Sequence, residues 1–117
     1  MPFIDCRFSK NLSNEQKTRL NSGLLKIMDD CAGKSERFVM TDIAGGESLF
    51  MGAKKGDCTF CDVRLLGKIT KEQKGSITGR ITSLVTEIAE IPAERVYITF
   101  AEYDGDSWGW NSKTFGG

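Results

Sequence analysis

Apolar and polar residues along the chain follow two rhythms that replace one another twice. Residues 3–8 alternate, with Ile4, Cys6 and Phe8 on one face and Phe3, Asp5 and Arg7 on the other, the period-two pattern of a strand. The period then lengthens, and Leu20, Leu24, Ile27, Met28 and Cys31 fall on one helical stripe. Ser13 is placed to cap that helix and Gln16 to reach back to the cap, while Gly33 ends it. Residues 37–41, Arg37-Phe38-Val39-Met40-Thr41, predict a second strand. From about residue 44 to 57, Gly45, Gly46, Gly52 and Gly56 punctuate a loop, with Ser48-Leu49-Phe50-Met51 as a short edge strand inside it.

The pattern then starts again. Residues 59–66 alternate as a third strand, Thr70 and Gln73 repeat the capping pair, and Ile77, Ile81, Leu84, Val85 and Ile88 form a second helical stripe that Pro92 stops. Residues 95–101 read as a fourth strand, and the tail from Trp108 to Phe115 is aromatic and broken by glycine. Phe3-Ile4-Asp5-Cys6-Arg7-Phe8 matches Phe60-Cys61-Asp62-Val63-Arg64-Leu65, 57 positions later, and Asn14-Glu15-Gln16-Lys17 matches Lys71-Glu72-Gln73-Lys74 at the same offset. Glu36-Arg37-Phe38-Val39-Met40-Thr41 matches Glu94-Arg95-Val96-Tyr97-Ile98-Thr99 if one residue is inserted. Internal repetition of this kind predicts an α+β fold: a duplicated β-α-β unit, with a four-stranded mixed sheet and two helices on one face.

On this alignment Ile4, Cys6, Phe8, Phe38, Met40, Cys61, Val63, Leu65, Val96, Ile98 and Phe100 lie under the helices. The other face carries Asp5, Arg7, Asp62, Arg64, Arg95 and Thr99 beside Phe3, Phe60 and Tyr97. With 117 residues the chain makes one domain, 1–117. An uncovered sheet face and a spare aromatic tail on so small a domain point to a homo-oligomer. Sixteen basic residues balance sixteen acidic ones, which argues against nucleic acid as a partner. No apolar run is long enough to insert into a membrane, and no basic-then-apolar signal pattern opens the chain, so the expected compartment is cytoplasmic.

The absence of histidine changes the chemistry available. It removes Ser-His and Cys-His pairs, histidine bases and histidine-containing zinc sites together. Proton transfer near neutral pH then falls to a shifted carboxylate, a lysine, a cysteine or the chain terminus. Pro2 becomes that terminus once Met1 is trimmed, as a secondary amine at the start of a strand. Cys58-Thr59-Phe60-Cys61 is a Cys-x-x-Cys, a candidate redox pair. It runs into a strand, where positions three apart face opposite ways, and redox pairs of this type sit at helix N-termini. Cys6 and Cys31 lack the spacing to complete a metal site with it.

Taken together, Met1-Pro2-Phe3-Ile4, Gly33-Lys34, Cys58-Thr59-Phe60-Cys61, Leu66-Gly67-Lys68-Ile69, Pro92-Ala93-Glu94-Arg95-Val96-Tyr97-Ile98 and Gly109-Trp110-Asn111-Ser112-Lys113-Thr114-Phe115 resemble the macrophage migration inhibitory factor family of the tautomerase superfamily. The resemblance covers essentially the whole chain. It implies a homotrimer with sites at subunit boundaries and keto–enol tautomerisation of phenylpyruvate-like or dopachrome-like substrates, without a cofactor. It also implies that Pro2 is the catalytic base, that Lys34 and the Leu66 N–H meet substrate oxygens, and that Tyr97, Trp110 and Phe115 line an aromatic pocket, from the adjacent subunit. Thr99 stands where many members carry asparagine, and Phe3 and Trp108 add bulk at the mouth, which bears on substrate preference. Two competing roles come with the resemblance: a cytokine-like ligand of a cell-surface receptor, secreted without a signal peptide, and a thiol oxidoreductase using Cys58 and Cys61.

Overall fold

Two β-α-β units lie side by side and meet through an antiparallel seam. In the computed structural model, which describes residues 1–117, the first unit is β1 (Pro2–Phe8), α1 (Asn14–Ala32) and β2 (Met40–Ala44). The second is β3 (Thr59–Leu66), α2 (Lys71–Ala89) and β4 (Val96–Tyr103), followed by a hairpin of β5 (Gly109–Trp110) and β6 (Lys113–Thr114). The sheet order is β2-β1-β3-β4, with parallel outer pairs and the antiparallel β1–β3 pair at the centre. The parallel pairs follow from connection length, since only a crossover containing a helix returns the chain in the same direction.

The helices begin and end as their sequences dictate. Ser13 and Thr70 both form complete capping boxes with Gln16 and Gln73. Gly33 takes the left-handed conformation at φ 62° and closes α1. Glu90 takes it at φ 59° and closes α2, so that helix is already finished when Pro92 opens a 3-10 turn. Ile4, Phe8, Val63 and Leu65 from the sheet meet Leu20, Leu24, Ile77 and Ile81 from the helices in a single buried core.

The second strand differs from its expected place. Glu36–Phe38 is a 3-10 turn, and β2 starts only at Met40. Phe3 pairs with Met40 and Phe60 with Tyr97, so the repeat runs at 57 positions throughout and the inserted residue does not exist. The corrected register exchanges the two faces of the segment. Met40 shares the open face with Phe3 and is 67% exposed, and Phe38 also lies outside the core. Val39 and Ile43 pack against the core in their stead. A one-residue slip moves every side chain of a strand to the other face, which is the source of the error.

Two further expectations change. Ser48-Leu49-Phe50-Met51 forms no strand, because no neighbouring backbone within the chain pairs with it, and Phe50 is 86% exposed. Arg95 does not stand on the open face; it is buried beneath the loop before β3. Its guanidinium donates to the carbonyls of Asp57 at 3.0 Å, Gly56 at 3.0 Å and Lys54 at 3.2 Å, with a longer contact to Met51 at 3.4 Å. Those carbonyls have no strand partners, so the side chain replaces a missing ladder. Arg95→Met should therefore lower the unfolding free energy by about 2 kcal/mol in urea titrations. Amide exchange across residues 51–57 should accelerate before that of β3; unchanged exchange would remove this role.

Candidate functional site

Pro2 is the first residue of β1, buried and paired with Leu65 of β3. It opens into a cavity of about 510 Å3 whose walls are Met1, Phe3, Arg37, Phe38, Val39, Met40, Trp108, Gly109 and Trp110. The 3-10 turn before β2 supplies one wall. The C-terminal hairpin supplies the other, folded back by Asn111 and Ser112 at φ 52° and 71°, the pair of positive angles that a two-residue turn of this hand requires. Trp110 meets Phe38 edge-on at 6.0 Å and stacks on Phe115 at 6.3 Å, while Trp108 lies edge-on to Tyr103 at 5.6 Å. The pocket wall is thus tied together by aromatic contacts.

Lys34 follows the left-handed Gly33 directly, and its N–H donates to the Met28 carbonyl at 3.1 Å. Its ammonium makes no ion pair with any carboxylate of the chain. At the neighbouring terminus the Met1 amine is held below its ordinary pKa, first by burial and then by the Lys34 charge. Both effects disfavour a second positive charge. On the other side, the Leu66 N–H donates to the Met1 carbonyl oxygen at 3.2 Å. Lys34 and the Leu66 N–H therefore both act on Met1, the residue attached to Pro2, and Trp110 lines the Pro2 cavity from within the same chain.

Tyr97 and Thr99 stand elsewhere. Tyr97 is opposite Phe60, five strand positions from the Leu65 that faces Pro2, or about 17 Å along the sheet. Thr99 donates to Asp62 at 2.7 Å within the charged network of the open face. In that network Arg64 bonds Asp62 at 2.8 Å and covers Phe3 at 5.4 Å, and Arg7 lies 3.5 Å from Asp5. Arg37, Phe38 and Met40 are pocket residues that the sequence reading assigned to a strand or to the core. The 57-residue offset, applied without an insertion, would have put Met40 beside Phe3.

The two cysteines of the Cys-x-x-Cys diverge. Cys58 points its thiol at the Leu49 carbonyl, 3.4 Å away, whereas Cys61 lies within β3 with its sulfur 2.9 Å from that of Cys6. The hydrogen bond to Cys61 and burial push the Cys6 thiol well above its ordinary pKa. A thiol held protonated is a poor nucleophile. A separate cavity of about 560 Å3 under the 47–57 loop is lined mainly by polar side chains. Its buried cation, Arg95, is already engaged by backbone carbonyls.

The duplicated β-α-β sheet thus carries a proline next to the terminus in an aromatic pocket, with an unpaired lysine acting on that terminus. The model of the macrophage migration inhibitory factor family matches residues 1–116, and the chain belongs to that family. It is 30% identical to the Xenopus tropicalis macrophage migration inhibitory factor over 96 residues, which are 82% of this chain and 84% of that one. The solved structure of Leishmania major MIF2 superposes with a TM-score of 0.89 at 27% identity, covering 98% of this chain and 97% of that one. Pt0534, solved after inactivation by 2-oxo-3-pentynoate, shares the fold with a TM-score of 0.84 at 16% identity, covering 97% of this chain and 94% of Pt0534.

Proposed function

We propose that the chain, once trimmed of Met1, is a keto–enol tautomerase of aromatic 2-oxo acids of the phenylpyruvate kind, with dopachrome-like compounds as related substrates. The observation that carries this reading is the Met1 carbonyl, held by the Leu66 N–H and attached to the Pro2 nitrogen. Trimming frees the base and the donor in one cut. A substrate carbonyl can then occupy the space that the Met1 carbonyl leaves. Pro2 nitrogen takes a proton from the carbon beside the substrate carbonyl, and the electron pair of that C–H bond becomes the enolate. Lys34 and the Leu66 N–H stabilise the charge growing on oxygen. The prolinium then returns its proton to that oxygen, and no redox partner is needed. The inactivation of a protein of this fold by a 2-oxo acid makes such acids the natural probes. The deciding assay is phenylpyruvate tautomerisation paired with mass spectrometry of the N-terminus.

The working form is a homotrimer in this reading. Only 20 of 117 residues are buried in the single chain, and Met40, Phe50 and Tyr97 are each more than half exposed. A neighbouring copy would cover these side chains and carry Tyr97 to the Pro2 pocket, which it cannot reach within its own chain. Sedimentation should give three times the chain mass of 12.9 kDa. Phe50→Asp should shift the mass toward a single chain and lower turnover at least tenfold, on the order of what misplacing site residues costs. A monomer with full activity would sink the assembly.

A further inference from the structure

We infer that Arg37 forms a second anion subsite in the Pro2 pocket, so that the preferred substrate is a 2-oxo acid bearing another carboxylate at its far end. This rests on the tautomerase reading and names its substrate class. Arg37 is the one charged side chain among the residues lining the cavity, and no acidic residue lines it. The guanidinium is unspent. Arg7, Arg64 and Arg80 pair with carboxylates and Arg95 donates to carbonyls, whereas Arg37 has neither an ion pair nor a side-chain hydrogen bond. Arg19 is also unpaired, but it projects from the exposed surface of α1.

Arg37 is also positioned. Its guanidinium carbon sits 5.3 Å from the centre of the Phe38 ring, which in turn meets Trp110 edge-on. An arginine laid on an aromatic face keeps its planar edge of N–H donors free, and that edge matches a carboxylate with two parallel hydrogen bonds. The two cations of the site are separated in effect. Arg37 stands in the cavity wall, whereas Lys34 lies outside that lining and acts on the Met1 amine at the chain terminus. The cavity that Pro2 and Arg37 share is otherwise walled by apolar side chains, Phe38, Val39, Met40 and Trp110 among them, suited to a ring or a conjugated chain. A monocarboxylate would leave Arg37 without a counter-charge; a dicarboxylate satisfies both ends.

The test compares phenylpyruvate with its para-carboxylate derivative on the trimmed protein, and on Arg37→Gln and Arg37→Lys. The wild type should favour the diacid in kcat/KM by at least about fivefold, chiefly through KM, as expected for a remote charge-assisted contact. Arg37→Gln should bring the ratio between the two acids to about one, and Arg37→Lys should restore part of it. A wild type indifferent to the second carboxylate, or a ratio that survives Arg37→Gln, overturns the subsite. Calorimetric binding of cinnamate and 4-carboxycinnamate, which need no turnover, separates the two readings. An Arg37-dependent preference without tautomerase activity keeps the subsite and sinks the proposed reaction. Phenylpyruvate turnover with no preference in either assay does the reverse, and neither result together overturns both.

Discussion

Protein trimmed to Pro2 will interconvert the keto and enol forms of phenylpyruvate, and the same protein retaining Met1 will not. The reason is the nitrogen. With Met1 in place, Pro2 nitrogen is part of a tertiary amide, its lone pair is delocalised into the carbonyl, and it cannot accept a proton near neutral pH. The Met1 carbonyl also consumes the Leu66 N–H at 3.2 Å. One added residue thus removes a base and a donor together. Pro2→Gly is the milder change, because a primary amine still ends the chain at that place. It lacks the rigid ring and the higher basicity of a secondary amine, so a fall in kcat of about a hundredfold is expected, within the usual worth of a positioned general base. Trimmed and untrimmed fractions, separated and checked by intact mass, give the comparison directly. Equal turnover in the two fractions would end the terminal-base mechanism.

Much of the fold is legible without coordinates because each element carries its own period. In β1 and β3 one parity is apolar and the other charged, and both helices announce their starts with Ser13 and Thr70. β2 is the exception for a physical reason. Phe38 and Met40 on one parity compete with Val39 and Ile43 on the other, so alternation cannot choose between them. Sheet pairing decides, through Met40 opposite Phe3 and Ile43 opposite Cys6. Matching Glu36-Arg37 to Glu94-Arg95 then compounded the slip, since two charged residues outweighed the spacing of the repeat. Arg95 and Arg37 have opposite fates despite that match: one is buried under carbonyls, and the other lines a pocket.

The site is legible at its reacting end and not at its far end. Pro2 stands out as a terminus fused to a strand, whereas Lys34 and the Leu66 N–H are nominated by the family resemblance. The periodic pattern only places them at the end of a helix and the end of a strand. Arg37 and Phe38 belong to a 3-10 turn, which has no apolar period of its own to read. Tyr97 and Thr99 raise a different difficulty, because they lie on β4, far from Pro2 along the sheet. In the proposed trimer Tyr97 would reach that pocket from a second copy, and within a single chain such a contact is visible only as exposed apolar surface, not as a motif.

Lys34→Met should cost catalysis in two ways that pH separates. With Met1 in place, the lysine charge and, more strongly, burial favour the neutral form of the Met1 amine. The Pro2 amine that replaces it one residue along on trimming is expected to feel the same two influences. Removing the charge raises the pKa of that amine part of the way back toward its ordinary value, since burial remains. The base is active when unprotonated, so the acid limb of the kcat/KM profile should move to higher pH. Well above that limb the base is fully deprotonated in both proteins, and the difference left is the lost contact to substrate oxygens. There kcat/KM for phenylpyruvate should fall by about a hundredfold, the scale found when a preorganised stabiliser of developing charge is removed. The methyl ester of phenylpyruvate distinguishes the lysine's two oxygen partners. If Lys34 holds the carboxylate, the ester is already poor and loses little more. If it stabilises the enolate oxygen, acid and ester fall together at high pH. An unmoved acid limb would mean that Lys34 does not act on the terminus, leaving burial alone to set the base.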